Sequence, residues 1–291
     1  MKKPLLTALI LVLASAAPLS ATVIYSQDFT GLSSLPAGYA VTAPTNTSAG
    51  VSASVGNPAA SMILSDGSSS GTVNVGIAGA SNGWSTFTTS NATTRIFKVD
   101  FDWYIKSSLS SGAANFRFSA NLGGSSATTA TIGFGRALVN ATNMNFFYAG
   151  AGNAPTPSLT NAIGWNGSSW ESGFNFGTYD GTNAANNTSG GFYNFSLSYV
   201  DQATTAQLMV TSISNPWETA NFTITGLGAA TVTQGRRIDF LSGTTQVGAE
   251  GYIDNIVVSA VPEPSAALLV ALGLGVVLAL RSRRNSHRKA H

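Results

Sequence analysis

The 291-residue sequence has no cysteine, and its two histidines, His287 and His291, both fall within the last five residues. Without thiols there is no cysteine nucleophile, iron–sulfur cluster or thiolate zinc site. There are no disulfides either, which a core of this size does not require. Without an imidazole in its body the chain has no Ser-His-Asp triad, no histidine base and no histidine-ligated metal. Charge is scarce as well: 9% of residues are Asp, Glu, Lys or Arg, against about 25% in an average soluble protein. Before the C-terminal tail the glutamates are Glu171, Glu218 and Glu250. They are too scattered to announce the carboxyl pair, about 5–9.5 Å apart, of a glycosidase. Gly133-Phe134-Gly135-Arg136 lacks the Lys-Ser/Thr of a phosphate loop. No amphipathic helix and no repeat of constant period is visible. No residue is assigned a catalytic role.

Ser, Thr, Gly, Asn and Ala fill the space that charge leaves. With 44% hydrophobic and 10% aromatic residues, the chain is too apolar to remain disordered. Its net charge of +2 is unevenly placed. Lys2, Lys3, Arg281, Arg283, Arg284, Arg288 and Lys289 crowd the ends, whereas Thr22–Ala260 holds seven basic and eleven acidic residues, a net −4. A body without a basic stripe excludes nucleic acid as a partner.

The N-terminus joins Lys2 and Lys3 to an apolar run, Leu5–Leu13, and then to small residues ending Leu19-Ser20-Ala21. This is the layout of a secretory signal peptide over residues 1–21, cleaved after Ala21, with Ala16 as the alternative, and it implies the Sec export machinery as a partner. At the other end stand Val261-Pro262-Glu263-Pro264-Ser265, an uncharged stretch from Ala266 to Leu280, and the basic stop Arg281, Arg283 and Arg284. Fifteen helical residues rise about 22 Å. The hydrocarbon core is ~30 Å thick, so the predicted transmembrane helix needs arginine snorkelling and local thinning. The arginines put the tail in the cytoplasm and the body outside.

The Pro262-Glu263-Pro264 triplet, the apolar helix and the Arg-rich end together resemble the PEP-CTERM sorting signal over residues 261–291. The resemblance implies recognition by exosortase in the inner membrane and cleavage near the triplet. It further implies transfer to the cell surface or exopolysaccharide (biofilm) matrix of a Gram-negative-type bacterium. The tail beyond the first arginines is longer than is usual for that family.

Residues 22–260 read as one all-β domain. From Phe97 to Lys106, Phe97, Val99, Phe101, Trp103 and Ile105 alternate with Lys98, Asp100, Asp102, Tyr104 and Lys106, a period of two that sends one face to the core. Asp100 and Asp102 are expected on the solvated face, paired with Lys98 and Lys106. Phe116–Asn121, Tyr193–Val200, Phe222–Ile224 and Ile238–Phe240 repeat the pattern, and Tyr193–Val200 should form a hairpin with Ala206–Thr211. Turn pairs such as Asp66-Gly67, Gly123-Gly124 and Asp180-Gly181 separate the runs. Many one-sided short strands imply two packed sheets, a β-sandwich.

The opening Val23–Phe29 and the closing Ile253-Asp254-Asn255-Ile256 resemble the ends of concanavalin A-like (laminin G/lectin-type) jelly rolls, in which first and last strands lie side by side. That likeness implies a structural calcium on Asp28 and Asp254, since calcium takes oxygen donors; no other cofactor is indicated. Trp165, Trp170 and Tyr179, in a turn-rich stretch with several asparagines, are candidate contacts for polysaccharide. The expectation is a non-catalytic glycan-binding surface protein. A polysaccharide lyase or glucanase, and a ligand-free structural envelope protein, are the alternatives. The Glu-x-Asp-x-x-Glu run of sandwich glucanases is absent.

Overall fold

The computed structural model describes residues 22–58, 60–66, 72–78, 95–106, 116–122, 128–139, 142–153, 155–169, 192–200, 203–213, 216–217, 219–228, 237–242 and 249–262. One unit of the chain is Val23–Ala260; a second comprises Met1–Thr22 and Val261–His291. The expected signal peptide 1–21, Glu263–Ser265, the Ala266–Leu280 stretch and Arg281, Arg283 and Arg284 lie outside the described residues, as do Trp170 and Tyr179. Among the described residues no helix is long and apolar enough to cross a membrane.

The described chain is nearly all strand. β1 (Thr22–Gln27), β2 (Tyr39–Thr42), β3 (Thr47–Ser52), β4 (Ser61–Asp66) and β5 (Asn74–Ala78) lead to the long β6 (Arg95–Lys106). Next come β7 (Phe116–Asn121), β8 (Thr129–Val139) and β9 (Thr142–Ala151), then a 3-10 turn at Leu159–Asn161. The series ends with β10 (Tyr193–Val200), β11 (Ala206–Ser212), β12 (Thr219–Ile224), β13 (Arg237–Leu241) and β14 (Ala249–Pro262). An eight-stranded sheet runs β12-β11-β10-β6-β14-β4-β3, with β1 also paired to β14; a six-stranded sheet runs β2-β5-β13-β7-β8-β9. The expected jelly-roll sandwich is what forms, first and last strands adjacent. The β10–β11 hairpin is also as read, with Tyr199 opposite Ala206 and Tyr193 opposite Ser212.

Period-two patterning places the core. Phe97, Val99, Phe101 and Trp103 of β6 are all buried, and so are Phe116 and Phe118 of β7, Phe195 of β10 and Phe240 of β13. Phe101 ties the sheets together: its ring centroid lies 4.4 Å from that of Phe118, 5.3 Å from Phe240 and 5.4 Å from Phe195. Trp103 meets Phe147 of β9 at 5.4 Å. Such spacings favour offset and edge-on aromatic packing over face-to-face stacking. At the side of the sandwich, Tyr25 of β1 and Tyr39 of β2 share a hydrogen bond of 2.6 Å between their hydroxyls, one from each sheet.

One irregularity of β14 governs the site. Ile253, Ile256 and Val258 all face the core, so the inward alternation skips a residue. Asn255 takes φ 50° at the skip, a left-handed conformation that asparagine tolerates better than most residues. The extra residue is a β-bulge. It leaves Asp254 on the outer side of the eight-stranded sheet, where the β3–β4 loop folds over it.

Candidate functional site

Two carboxylates of the outer face are buried together under that loop. Asp254 of β14 is fully covered and Asp102 of β6 is 4% exposed. Each is held by amides. Asp254 Oδ2 accepts the backbone N–H of Asn57 at 2.7 Å, and Oδ1 accepts that of Asn255 at 2.8 Å. Asp102 Oδ2 accepts side-chain amides from Asn57 at 3.1 Å and Asn255 at 2.8 Å, while its Oδ1 accepts Asn194 of β10 at 2.8 Å. Asn255 also donates to the carbonyl oxygen of Asn57. Charge-assisted bonds of this kind are about twice as strong as neutral ones, and they stitch β10, β6, β14 and the β3–β4 loop into one knot.

The knot corrects the solvated-face expectation for β6. Asp100 does pair with a lysine, Lys98 at 2.9 Å, but Asp102 sits beneath the Asn57 loop. The period of two fixed its side of the sheet; what covers that side comes from a segment 45 residues away. Asn57, Asn194 and Asn255 were not singled out from the sequence. Ile253-Asp254-Asn255-Ile256 carried the one readable sign, a polar pair breaking an apolar alternation.

Burial, above all, pushes the Asp254 carboxyl up to about 6, and the neighbouring charges of Asp102 and Asp28 add to the rise, against the two backbone N–H bonds that lower it. Asp28 therefore lies within electrostatic reach of Asp254, at the junction where β1 ends against β14. It is exposed, and its Oδ1 accepts the Thr30 N–H at 3.1 Å in an Asx-type turn. Among the described residues no set of three His, Cys, Asp or Glu side chains converges as a ready-made metal site, and no described ion pair reaches Asp102 or Asp254. The donors nonetheless suit a hard cation. Carboxylate oxygens keep second lone pairs beyond the amides they already accept, and Asn57 contributes a carbonyl oxygen nearby.

An aromatic row adjoins the knot on the same face. Tyr252 of β14 and Tyr104 of β6 have ring centroids 5.9 Å apart, and Tyr104 and Phe192 are 5.6 Å apart. The Tyr252 hydroxyl donates to Glu250 Oε2. Burial, followed by that contact, raises the Tyr252 phenol well above its usual range. Beyond the row, β10, β11 and β12 present short polar side chains in register, Ser198 opposite Gln207 and Gln207 opposite Thr223, with the Thr223 hydroxyl donating to Gln207 Oε1 at 3.0 Å.

Trp165 stands elsewhere. It follows the 3-10 turn in a segment that bridges the edge of β9 through Ala162 and Tyr148, and it is half-buried against the core.

No family model matches the sequence, and no curated protein is similar to it. Solved structures similar to this chain include lectin II from Ulex europaeus (11% identity, covering 82% of this chain and 99% of that one, TM-score 0.44). Another is peanut lectin (12%, 83% and 97%, TM-score 0.44). A third is the carbohydrate esterase vb_24B_21 of the Shiga toxin-encoding bacteriophage phi24B (11%, 82% and 99%, TM-score 0.44).

Proposed function

We propose that this chain is an exported protein, sorted through its C-terminal signal by an exosortase, whose jelly-roll domain binds polysaccharide at the cell surface or in the matrix without cleaving it. The observation that carries the binding reading is the outer face of the eight-stranded sheet, where hydroxyl and amide groups of β10, β11 and β12 lie in register and an aromatic row crosses the same face at one end. Hydrogen-bonding groups and apolar ring faces are the two kinds of surface that match a sugar ring. The non-catalytic reading draws support from the knot: Asp102 and Asp254 are buried and already accept amide N–H groups, a poor state for donating or abstracting a substrate proton. The export and sorting readings rest on the terminal sequences alone.

Calcium belongs to this proposal. Asp254 and Asp28 would hold it, with the Asn57 carbonyl oxygen and water among the further donors. When bound it would supply charge neutralisation at the β1–β14 junction and nothing to catalysis.

Two measurements test the function. Full-length protein should be retained on immobilised polysaccharide without releasing reducing ends; their release would make it an enzyme, and no retention across a broad glycan panel would leave a structural envelope protein. Protein recovered from the native host's surface should have a C-terminal mass ending near Pro262–Ser265. A terminus at His291 would replace sorting with a plain membrane anchor.

A further inference from the structure

Aromatic residues follow one another across a single end of the eight-stranded sheet. Tyr252 on β14, Tyr104 on β6 and Phe192 at the start of β10 are in ring contact. The line continues through the backbone. Ile213 N–H donates to the Phe192 carbonyl at 3.0 Å, carrying the register to the end of β11, and Pro216 and Trp217 stand just before the paired strand β12.

Exposure rises along this line. Tyr252 is buried, Tyr104 and Phe192 are half-buried, and Trp217 is 81% exposed, the highest value for a large apolar side chain among the described residues. The base of its turn is tied down: the Thr219 and Thr211 hydroxyls pair at 3.1 Å, and Thr219 Oγ1 donates to the Pro216 carbonyl at 3.3 Å. An indole left in water forgoes the burial that ordinarily draws a large apolar side chain inward. Exposed aromatics on rigid elements are typical of contact residues.

The surroundings select the ligand. Glu250 lies beside Tyr252 at this end, Asp102 and Asp254 are buried in the adjoining rows, and Asp100 is paired to Lys98. An excess of carboxylate repels polyanions, and the amides of Asn194 and Asn255 are directed at Asp102 rather than outward. Among the described residues at this end, the aromatic row is what faces a ligand, with negative charge beside it.

We propose that the line from Tyr104 through Phe192 to Trp217 is the contact surface for a neutral glycan chain laid across the strands, and that the carboxylates beside it exclude uronic-acid polymers. The inference rests on the glycan-binding reading above and assigns it a place and a ligand class. Trp217 is the outer contact, Tyr104 and Phe192 are the floor, and Tyr252 closes the row on β14.

Calorimetric titration of the full-length protein with hexamers of glucose, mannose and N-acetylglucosamine, and with the galacturonate hexamer, tests it. At least one neutral hexamer should bind, and galacturonate should bind at least tenfold more weakly. Trp217→Ala should weaken that binding roughly tenfold, the equivalent of about 1.4 kcal/mol, at an unchanged melting temperature. Tyr104→Leu, which keeps apolar volume, should weaken it similarly. Neutral binding that survives both substitutions would overturn the surface while leaving the glycan reading intact. Preference for galacturonate would overturn the ligand class. No binding to any of the four would overturn both readings.

Discussion

Asn57 donates its backbone N–H to Asp254 Oδ2 at 2.7 Å across 197 positions of sequence. That bond holds the β3–β4 loop against the bulge of β14, and its acceptor is shared with no solvent. Asp254→Ala would strand two part-buried N–H groups, those of Asn57 and Asn255, and loosen the Asn57 side chain from its place over Asp102. The expected loss is about 2–4 kcal/mol, seen as a fall in melting temperature of roughly 5–15 °C for a domain of this size. A melting curve within 2 °C or so of wild type would show that the loop holds without the carboxylate.

Asp254 also makes the domain sensitive to pH. Its folded pKa of about 6 lies above the ordinary 3.8, so the stability it contributes is complete below about pH 3.8 and is lost as the pH rises through 6. In the presence of chelator, the wild type should therefore lose ground to Asp254→Asn between pH 4.5 and 7.5, because the variant has no proton to release there. Parallel melting profiles for the two proteins over that window would contradict the buried titration.

Calcium should act in the opposite sense. Binding requires the ionised carboxylate, so added calcium should raise the melting temperature at pH 7.5 and do much less at pH 5. At a concentration 100-fold above Kd the gain is about 2.7 kcal/mol. A chelator should reverse it, and Asp28→Ala should reduce it. If neither calcium nor chelator moves the wild-type transition at pH 7.5, the site at the β1–β14 junction does not bind the ion.

Legibility in the sequence followed the number of covered faces. β6, β10 and β13 bury one face each, and their alternation marked both the strand and its inward set. β9 was not read, because Phe146, Phe147, Tyr148 and Ala149 are buried one after another. The segment after it pairs along its free edge, through Ile163 N–H to the Phe147 carbonyl at 2.8 Å, and a strand whose successive side chains are all buried loses its period. β2 and β3 have short, small or exposed side chains and little pattern to offer. At the site, resemblance to jelly-roll ends pointed to Asp28 and Asp254. Asp102 was seen but placed in solvent, and Asn57 was invisible, since no local pattern encodes which distant loop will cover a sheet.

The Lys98–Asp100 pair offers a contrast with the knot. Both side chains are partly exposed, at 34% and 22%, and water screens their 2.9 Å contact. Lys98→Ala should cost about 0.5 kcal/mol or less and should become neutral in high salt. A loss comparable to that of Asp254→Ala, measured by denaturant unfolding, would mean that the pair is structurally coupled to its buried neighbour Asp102.

Gly133 of β8 tests the packing of the six-stranded sheet. The Tyr148 ring of β9 lies directly across it, and a methyl group there would run into the ring carbons and hydroxyl. Tyr148 cannot swing outward freely, because it is fully buried and its strand is bridged to Ala162. Burial raises its phenol to about 12, against the lowering influence of the Arg117 charge. Gly133→Ala should therefore displace the ring and cost about 1–3 kcal/mol, as overpacking does, although alanine is otherwise the better strand residue. The double variant Gly133→Ala with Tyr148→Leu should recover part of that loss, since the shorter side chain leaves room for the methyl group. Equal stability of wild type and Gly133→Ala would mean that Tyr148 relocates at no cost. An ultraviolet titration would then find its phenol back near the ordinary value of 10.0, free of the burial that raises it.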